Sequence, residues 1–364
     1  MKNGNGVQKL YDQEKVDVMT WLRFPLILGV VFAHSNLYAL VESWYNTEPE
    51  WPEWLIYIFN NLYWLVFPAR IPTLFIISGY FFFRTQKNID NPFFVDKFRR
   101  RVHSLLIPYI IWNTIAIAVL FLRFNVLSGT NYSITEYLSG YWSFIPRGNN
   151  TPANMPLWFL RDLMIFSLLT PVIYRLLKKN TTAIIYLAVM ATICITDFHG
   201  NVTVFKLDNL LYFSVGAYIA IHKIDFTKIP DTVGIVTLLL YIPSQLLLNS
   251  INHEATYYVA ADMMTNVIKI TAAFYLVSLL FRRNILKPTP LLTRISFLLY
   301  VMHGIIIGPV IKTLYAVADS NNPFVLLSIY IIVPCIMVAF TIFIYKTMTR
   351  YMPQLAKVVI GNRK

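Results

Sequence analysis

Charge is what this sequence has least of. Asp, Glu, Lys and Arg make up 13% of its 364 residues, about half the share of an ordinary soluble protein. That excludes a soluble globular enzyme, a disordered chain and a coiled coil. Cysteine is nearly missing too. The only two, Cys194 and Cys335, both lie inside apolar runs, so no disulfide framework and no metal-binding spacing exists. We read both as small core residues. The apolar runs lack period-two alternation, which excludes an outer-membrane barrel. The first fifteen residues lack an apolar stretch, so no cleavable signal peptide is expected and the first span acts as its own insertion signal.

What the chain does have is apolar length. Hydrophobic residues make up 57% of it, and ten spans of about 20 residues would absorb nearly all of them. Ten such runs can be marked, at 16–40, 54–83, 105–124, 157–177, 181–196, 207–221, 233–248, 264–281, 295–317 and 324–348. The expected fold is all-α: a polytopic transmembrane helical bundle of about ten spans. The second run contains Arg70 and Pro72, so it is expected to tilt or break there. No linker, composition shift or internal repeat divides the chain, and residues 1–364 are read as one domain.

The net charge of +13 is a topology signal. Most of the Lys and Arg fall in connections on the side of the N-terminus, including Lys2, Lys9, Lys15, Arg84, Lys87, Lys97, Arg99, Arg100, Arg101, Lys223, Arg282, Arg283 and Lys364. Only Arg123, Arg147, Lys206 and Lys312 fall opposite. Both termini are therefore expected in the cytoplasm. This distribution accounts for the basic balance without nucleic acid as a partner; membrane lipids are expected instead. Oligomeric state is not written in the pattern.

Ionisable groups inside the runs cost about 2.5–3.5 kcal/mol each on insertion scales, so each needs a reason. They are Arg23, His34, Arg70, Arg161, Asp162, Lys269 and His303. Arg23 and His34 are eleven residues apart, about three turns and about 16 Å of rise, on one helix face. That geometry suits a long anionic cofactor, its phosphates near Arg23 and its reactive end near His34. Alone, the bland readings also fit: a snorkelling Arg and a packing His. The run Lys97-Phe98-Arg99-Arg100-Arg101 is either a lipid-headgroup anchor or a phosphate-binding cluster. Asp162 is expected to pair with a neighbouring span rather than with Arg161, since adjacent helical residues do not face each other.

These residues resemble the integral-membrane acyltransferase family 3, which contains polysaccharide and lipopolysaccharide O-acetyltransferases. Arg23 to His34 is similar to its Arg-x10-His signature. Ile71-Pro72-Thr-Leu-Phe75-Ile-Ile-Ser78-Gly79-Tyr80-Phe81 resembles its Ser-Gly block. The basic run leads into Pro108-Tyr109 as the family's does. Leu157-Trp158-Phe159-Leu160 and Ser296-Phe-Leu-Leu-Tyr300-Val-Met-His303 match two later blocks. Thr20 and Ser104 depart from the pattern, standing where many members have an acidic and a basic residue.

The resemblance implies acyl transfer from cytoplasmic acyl-CoA, acetyl-CoA by expectation, to a hydroxyl of an envelope glycan or lipid-linked saccharide. His34 is then the general base, its ordinary pKa lying near working pH, with Arg23 as its catalytic partner. Lys97, Arg99, Arg100 and Arg101 are assigned to the cofactor, no metal is expected, and Arg70, Ser78, Trp158, Arg161, Tyr300 and His303 are assigned to substrate. Ser35, Ser78 and Tyr80 are conceivable nucleophiles for an acyl-enzyme. The loop rings Tyr132, Tyr137, Tyr141, Trp142 and Phe144, with Arg147, are either membrane anchors or sugar platforms. The rival reading is a glycan exporter without acyl transfer, against which stands the lack of paired broken helices in two halves.

Overall fold

A computed structural model describes residues 2–45, 48–67, 69–85, 89–130, 132–144, 151–196, 205–252, 257–318 and 322–361, with backbone alone for 2–12, 63 and 65. Among the described residues no strand occurs. The helices are α1 Lys2–His34, α2 Leu37–Tyr45, α3 Glu53–Val66, α4 Arg70–Phe83, α5 Asn91–Arg101, α6 Ile107–Phe121, α7 Ile134–Ser139 and α8 Trp158–Leu177. Then come α9 Asn180–Ile195, α10 Leu207–Ile221, α11 Asp231–Asn249, α12 Tyr258–Arg282, α13 Pro290–Val317, α14 Pro323–Tyr351 and α15 Pro353–Val359. Among the described residues, seven helical segments are long and apolar enough to cross a membrane: Gln13–Tyr45, Asn91–Leu127, Met155–Leu177, Asp231–Asn249, Tyr258–Arg282, Pro290–Val317 and Pro323–Tyr351.

Three apolar helices are shorter. α4, α9 and α10 have 14, 16 and 15 residues, about 21–24 Å against the roughly 30 Å of a hydrocarbon core. The run 54–83 divides where the sequence places Arg70 and Pro72. α3 stops at Val66, and α4 opens at Arg70 with Pro72 in its first turn. The first turn's N–H groups have no intrahelical partner, so proline costs nothing there. α14 shows the complementary device: Pro323 fills its first position, and the Asn322 side chain accepts from the Phe324 and Val325 N–H groups.

The chain forms two compact units. The first contains Met1–Leu26, Trp64–Phe94 and Leu168–Thr293. Its centre is the contact of α4 with α10, and glycine makes it. A Cβ on Gly79 would lie 2.0 Å from the Phe213 carbonyl oxygen, and one on Gly216 would lie 1.9 Å from that of Ile76. The two backbones touch, as small residues allow between membrane helices that share no hydrophobic driving force. Phe82 and Phe213 flank the crossing, both fully buried.

The second unit contains Ile27–Tyr63, Val95–Ser167 and Arg294–Lys364. Its core is aromatic: the buried Tyr330 ring meets Phe59 edge-on at 5.1 Å and Phe32 at 5.8 Å. The short α15 docks on α6, where the Trp112 indole N–H donates to the Val359 carbonyl at 3.2 Å. Cys194 is buried, but Cys335 is exposed. The core reading of Cys335 is thus corrected. A span's outer face is as apolar as its inner face, so hydropathy cannot separate them.

Candidate functional site

In the second unit, α1 ends at His34 and α13 carries His303. Their rings lie 5.2 Å apart between centroids. His34 is half-buried, whereas His303 is 0% exposed. The Nδ1 of His303 is 3.3 Å from the Leu299 carbonyl, while its Nε2 is buried without a hydrogen-bond partner among the described residues. The imidazoles therefore form a pair. The sequence pattern assigned them to different roles and did not join them.

The segment before α8 is tied down beside this pair. The Tyr300 hydroxyl donates to the Pro156 carbonyl. The Asn154 amide donates to the Val301 carbonyl at 2.9 Å, and its N–H donates to Asn113 Oδ1 at 3.1 Å. Gly304 makes room for the segment: a Cβ there would lie 2.5 Å from both Asn154 Oδ1 and the Pro156 ring. Asn113 and Asn154 were missed in the sequence. Asn113, a fully buried amide inside the third apolar run, was the available signal.

Arg161 donates to the Trp142 carbonyl at 2.9 Å and lies over its ring at 5.1 Å. Asp162 Oδ1 is 3.6 Å from Arg161 Nε. Both side chains are buried, so the two charges attract where water does not separate them. Trp158 opens α8 and is half-buried. Tyr141 is held in the same loop, its carbonyl accepting from the Tyr109 hydroxyl at 2.6 Å. Arg147 lies outside the described residues.

The basic run does not share one helix face throughout. On α5, Arg99 points about 200° around the axis from Lys97 at 100° per residue. Arg100 pairs with Asp96 at 2.9 Å, with both side chains exposed. Lys97 and Arg101 share a face and are half-buried.

In the first unit, the Arg23 guanidinium lies 4.3 Å from the Phe81 ring centre, and Arg84 lies 5.0 Å from the same ring. Arg70 is buried, 4.8 Å from the Trp64 ring. Lys269, 1% exposed, donates to the Trp64 carbonyl at 3.2 Å and to Gln245 Oε1. The structure therefore joins Arg70 and Lys269 at Trp64, which sequence spacing did not show. Ser78 donates to the Leu74 carbonyl at 2.7 Å; in the second unit, Ser35 donates to Val31 at 2.8 Å. Both hydroxyl protons are used by their own helices.

The first unit also holds a cavity of about 580 Å³ lined by Lys15, Tyr80, Arg84, Thr85, Ala220, Lys223 and Ile224. Sequence reading counted its three cations as topology charges only, since no motif joins positions so far apart.

Arg23, His34, Ser78-Gly79, Pro108-Tyr109, Trp158 and Tyr300–His303 thus stand on helices in the order expected of one family, and comparison with known proteins agrees. The chain is 24% identical to the succinoglycan biosynthesis protein ExoH of Rhizobium meliloti (strain 1021), over 94% of this chain and 91% of that one. No solved structure matches. The family model described as an acyltransferase domain matches residues 16–346, a stretch that takes in Arg23, His34 and His303. This multi-pass membrane protein belongs to the integral-membrane acyltransferase family 3.

Proposed function

We propose that the protein moves an acyl group, acetyl in the simplest case, from cytoplasmic acyl-CoA to a hydroxyl of a cell-envelope glycan or lipid-linked saccharide. It works in the bacterial cytoplasmic membrane as one domain of about ten spans, with both termini inside. The observation that carries the reading is the contact of His34 with His303. An imidazole held against a second, fully buried imidazole has its orientation set by packing, as a general base requires.

In the proposed step, His34 takes the proton of the acceptor hydroxyl as its oxygen attacks the thioester carbonyl. The C–O bond forms, the C–S bond breaks, and the departing CoA thiolate recovers the proton from the imidazolium. Direct transfer is favoured over an acyl-enzyme on Ser35 or Ser78, because both hydroxyls already donate to helix carbonyls. Arg23 serves the anionic donor, its planar cation braced on Phe81. Tyr300, Trp158 and Arg161 support the acceptor side. A glycan acceptor is favoured by the relative's part in succinoglycan biosynthesis.

Purified protein in detergent should consume radiolabelled acetyl-CoA, and envelope glycans from a strain lacking it should lose acyl mass. A reporter fused after Lys364 should be cytoplasmic. Failure to bind or consume acyl-CoA would refute the donor assignment, and an external C-terminus the topology.

A further inference from the structure

The cavity in the first unit differs from its surroundings in charge. Lys15 forms part of its wall and is 6% exposed. Arg84 and Lys223 line it as well and are both exposed. Lys223 has φ 54°, the left-handed region that a residue other than glycine seldom adopts, just after α10 ends. Asp225 stands near: it lies 3.7 Å from Lys15 and 3.8 Å from Lys228, and its Oδ1 also accepts from Thr227. That acid is shared by two cations and does not line the cavity; among the described residues the lining holds three cations and no acid.

Arg84 and Lys223 follow the C-termini of α4 and α10, where cations oppose helix dipoles. That explains a basic residue at each end. It does not explain a third cation buried beside them, nor an open volume of about 580 Å³, which lies within the usual range for small-molecule sites.

We propose that this cavity binds the phosphate-bearing end of the acyl donor, with Lys15, Arg84 and Lys223 matching phosphate oxygens. The proposal rests on the donor assignment above and moves the phosphate contacts from Arg99–Arg101 to this cavity. An anionic lipid headgroup offers the same phosphate chemistry, so the test must separate the two.

The full-length protein is reconstituted in nanodiscs of phosphatidylcholine alone, and binding of adenosine 3',5'-bisphosphate is measured by calorimetry. Arg84→Gln and Lys223→Gln alter exposed side chains, so folding is retained and checked by thermal unfolding. Each should weaken bisphosphate binding about 10-fold, and the double variant about 100-fold. The KM for acetyl-CoA should rise in step while kcat stays within about 2-fold. Lys287→Gln, at an exposed position elsewhere in the unit, controls for general surface charge. Unchanged bisphosphate affinity in the double variant overturns the proposal. So does an effect on turnover that appears only when phosphatidylglycerol is added, since the cavity then holds a lipid. Bisphosphate binding that depends on these cations, without any acetyl-CoA consumption, keeps the cavity as a phosphate site and refutes the transfer reaction instead.

Discussion

The first unit sets several cations against rings and carbonyls, and the second brings two imidazoles together beside neutral amides. Arg23, Arg70, Arg84 and Lys269 in the first lie against aromatic rings or carbonyl oxygens, and Lys15 meets Asp225. In the second, His34 and His303 stand ring to ring, and Asn113, Asn154 and Tyr300 pin the segment before α8. Fixed positive charge holds an anionic ligand at any working pH, whereas a group that must accept and return a proton needs a pKa near that pH. The difference teaches that donor affinity and proton transfer should be separable by mutation.

The largest effect should come from His34→Ala, which removes the base and should lower turnover by about 10²–10⁴-fold. Acetyl-CoA affinity, read by calorimetry, should stay within a few-fold. A comparable loss of affinity would break the division between the two units. His303→Ala sharpens it: a purely packing imidazole would cost melting temperature first, whereas a partner of His34 should also alter the pH–rate profile of the folded variant.

Packing offers the next comparison. Gly79→Ala drives a methyl into the Phe213 backbone, and two helices must part; we expect a loss near the upper end of about 1–3 kcal/mol. Gly304→Ala meets the Asn154 amide and the Pro156 ring, so it should cost less stability but loosen the segment beside His303. Thermal unfolding in detergent ranks them, and the reverse order would show the α4–α10 contact to be the softer one.

Lys269→Met should change stability by no more than about 1 kcal/mol, because losing two hydrogen bonds is offset by no longer burying an ammonium. A large loss would make Lys269 a structural tie.

The smallest effect belongs to Glu136 outside the spans. Its carboxylate accepts from the Ser133 N–H and side chain, and these bonds hold its pKa below the ordinary glutamate value. The depressed pKa means its contribution to α7 is present above the ordinary glutamate range and fades as pH falls through the lowered folded value. Hydrogen exchange of residues 134–139 should quicken in that acid window, and Glu136→Gln should remove the pH dependence. An unchanged profile in that variant would assign the effect elsewhere.

Much of the helical layout was legible because each apolar run is long and nearly uncharged. Arg70 and Pro72 marked the break in the second run, and the Arg23–His34 spacing survives on one helix. The rest depends on contacts between distant positions. His303 joins His34 across most of the chain, and Lys15, Arg84 and Lys223 share a cavity although each reads singly as a charge at the end of a span. Cys335 was misread because hydropathy does not say which face of a span turns inward.

By itself, the sequence determined that this chain is helical, that it is membrane-embedded, and that it is an acyltransferase. Apolar length, charge scarcity and motif order are properties of the linear chain and need no partner to be read. The tertiary structure alone decided which polar groups meet. A buried cation or imidazole takes whichever acceptor, ring or second imidazole the helix packing brings within reach, and periodicity in one helix carries no record of its neighbour.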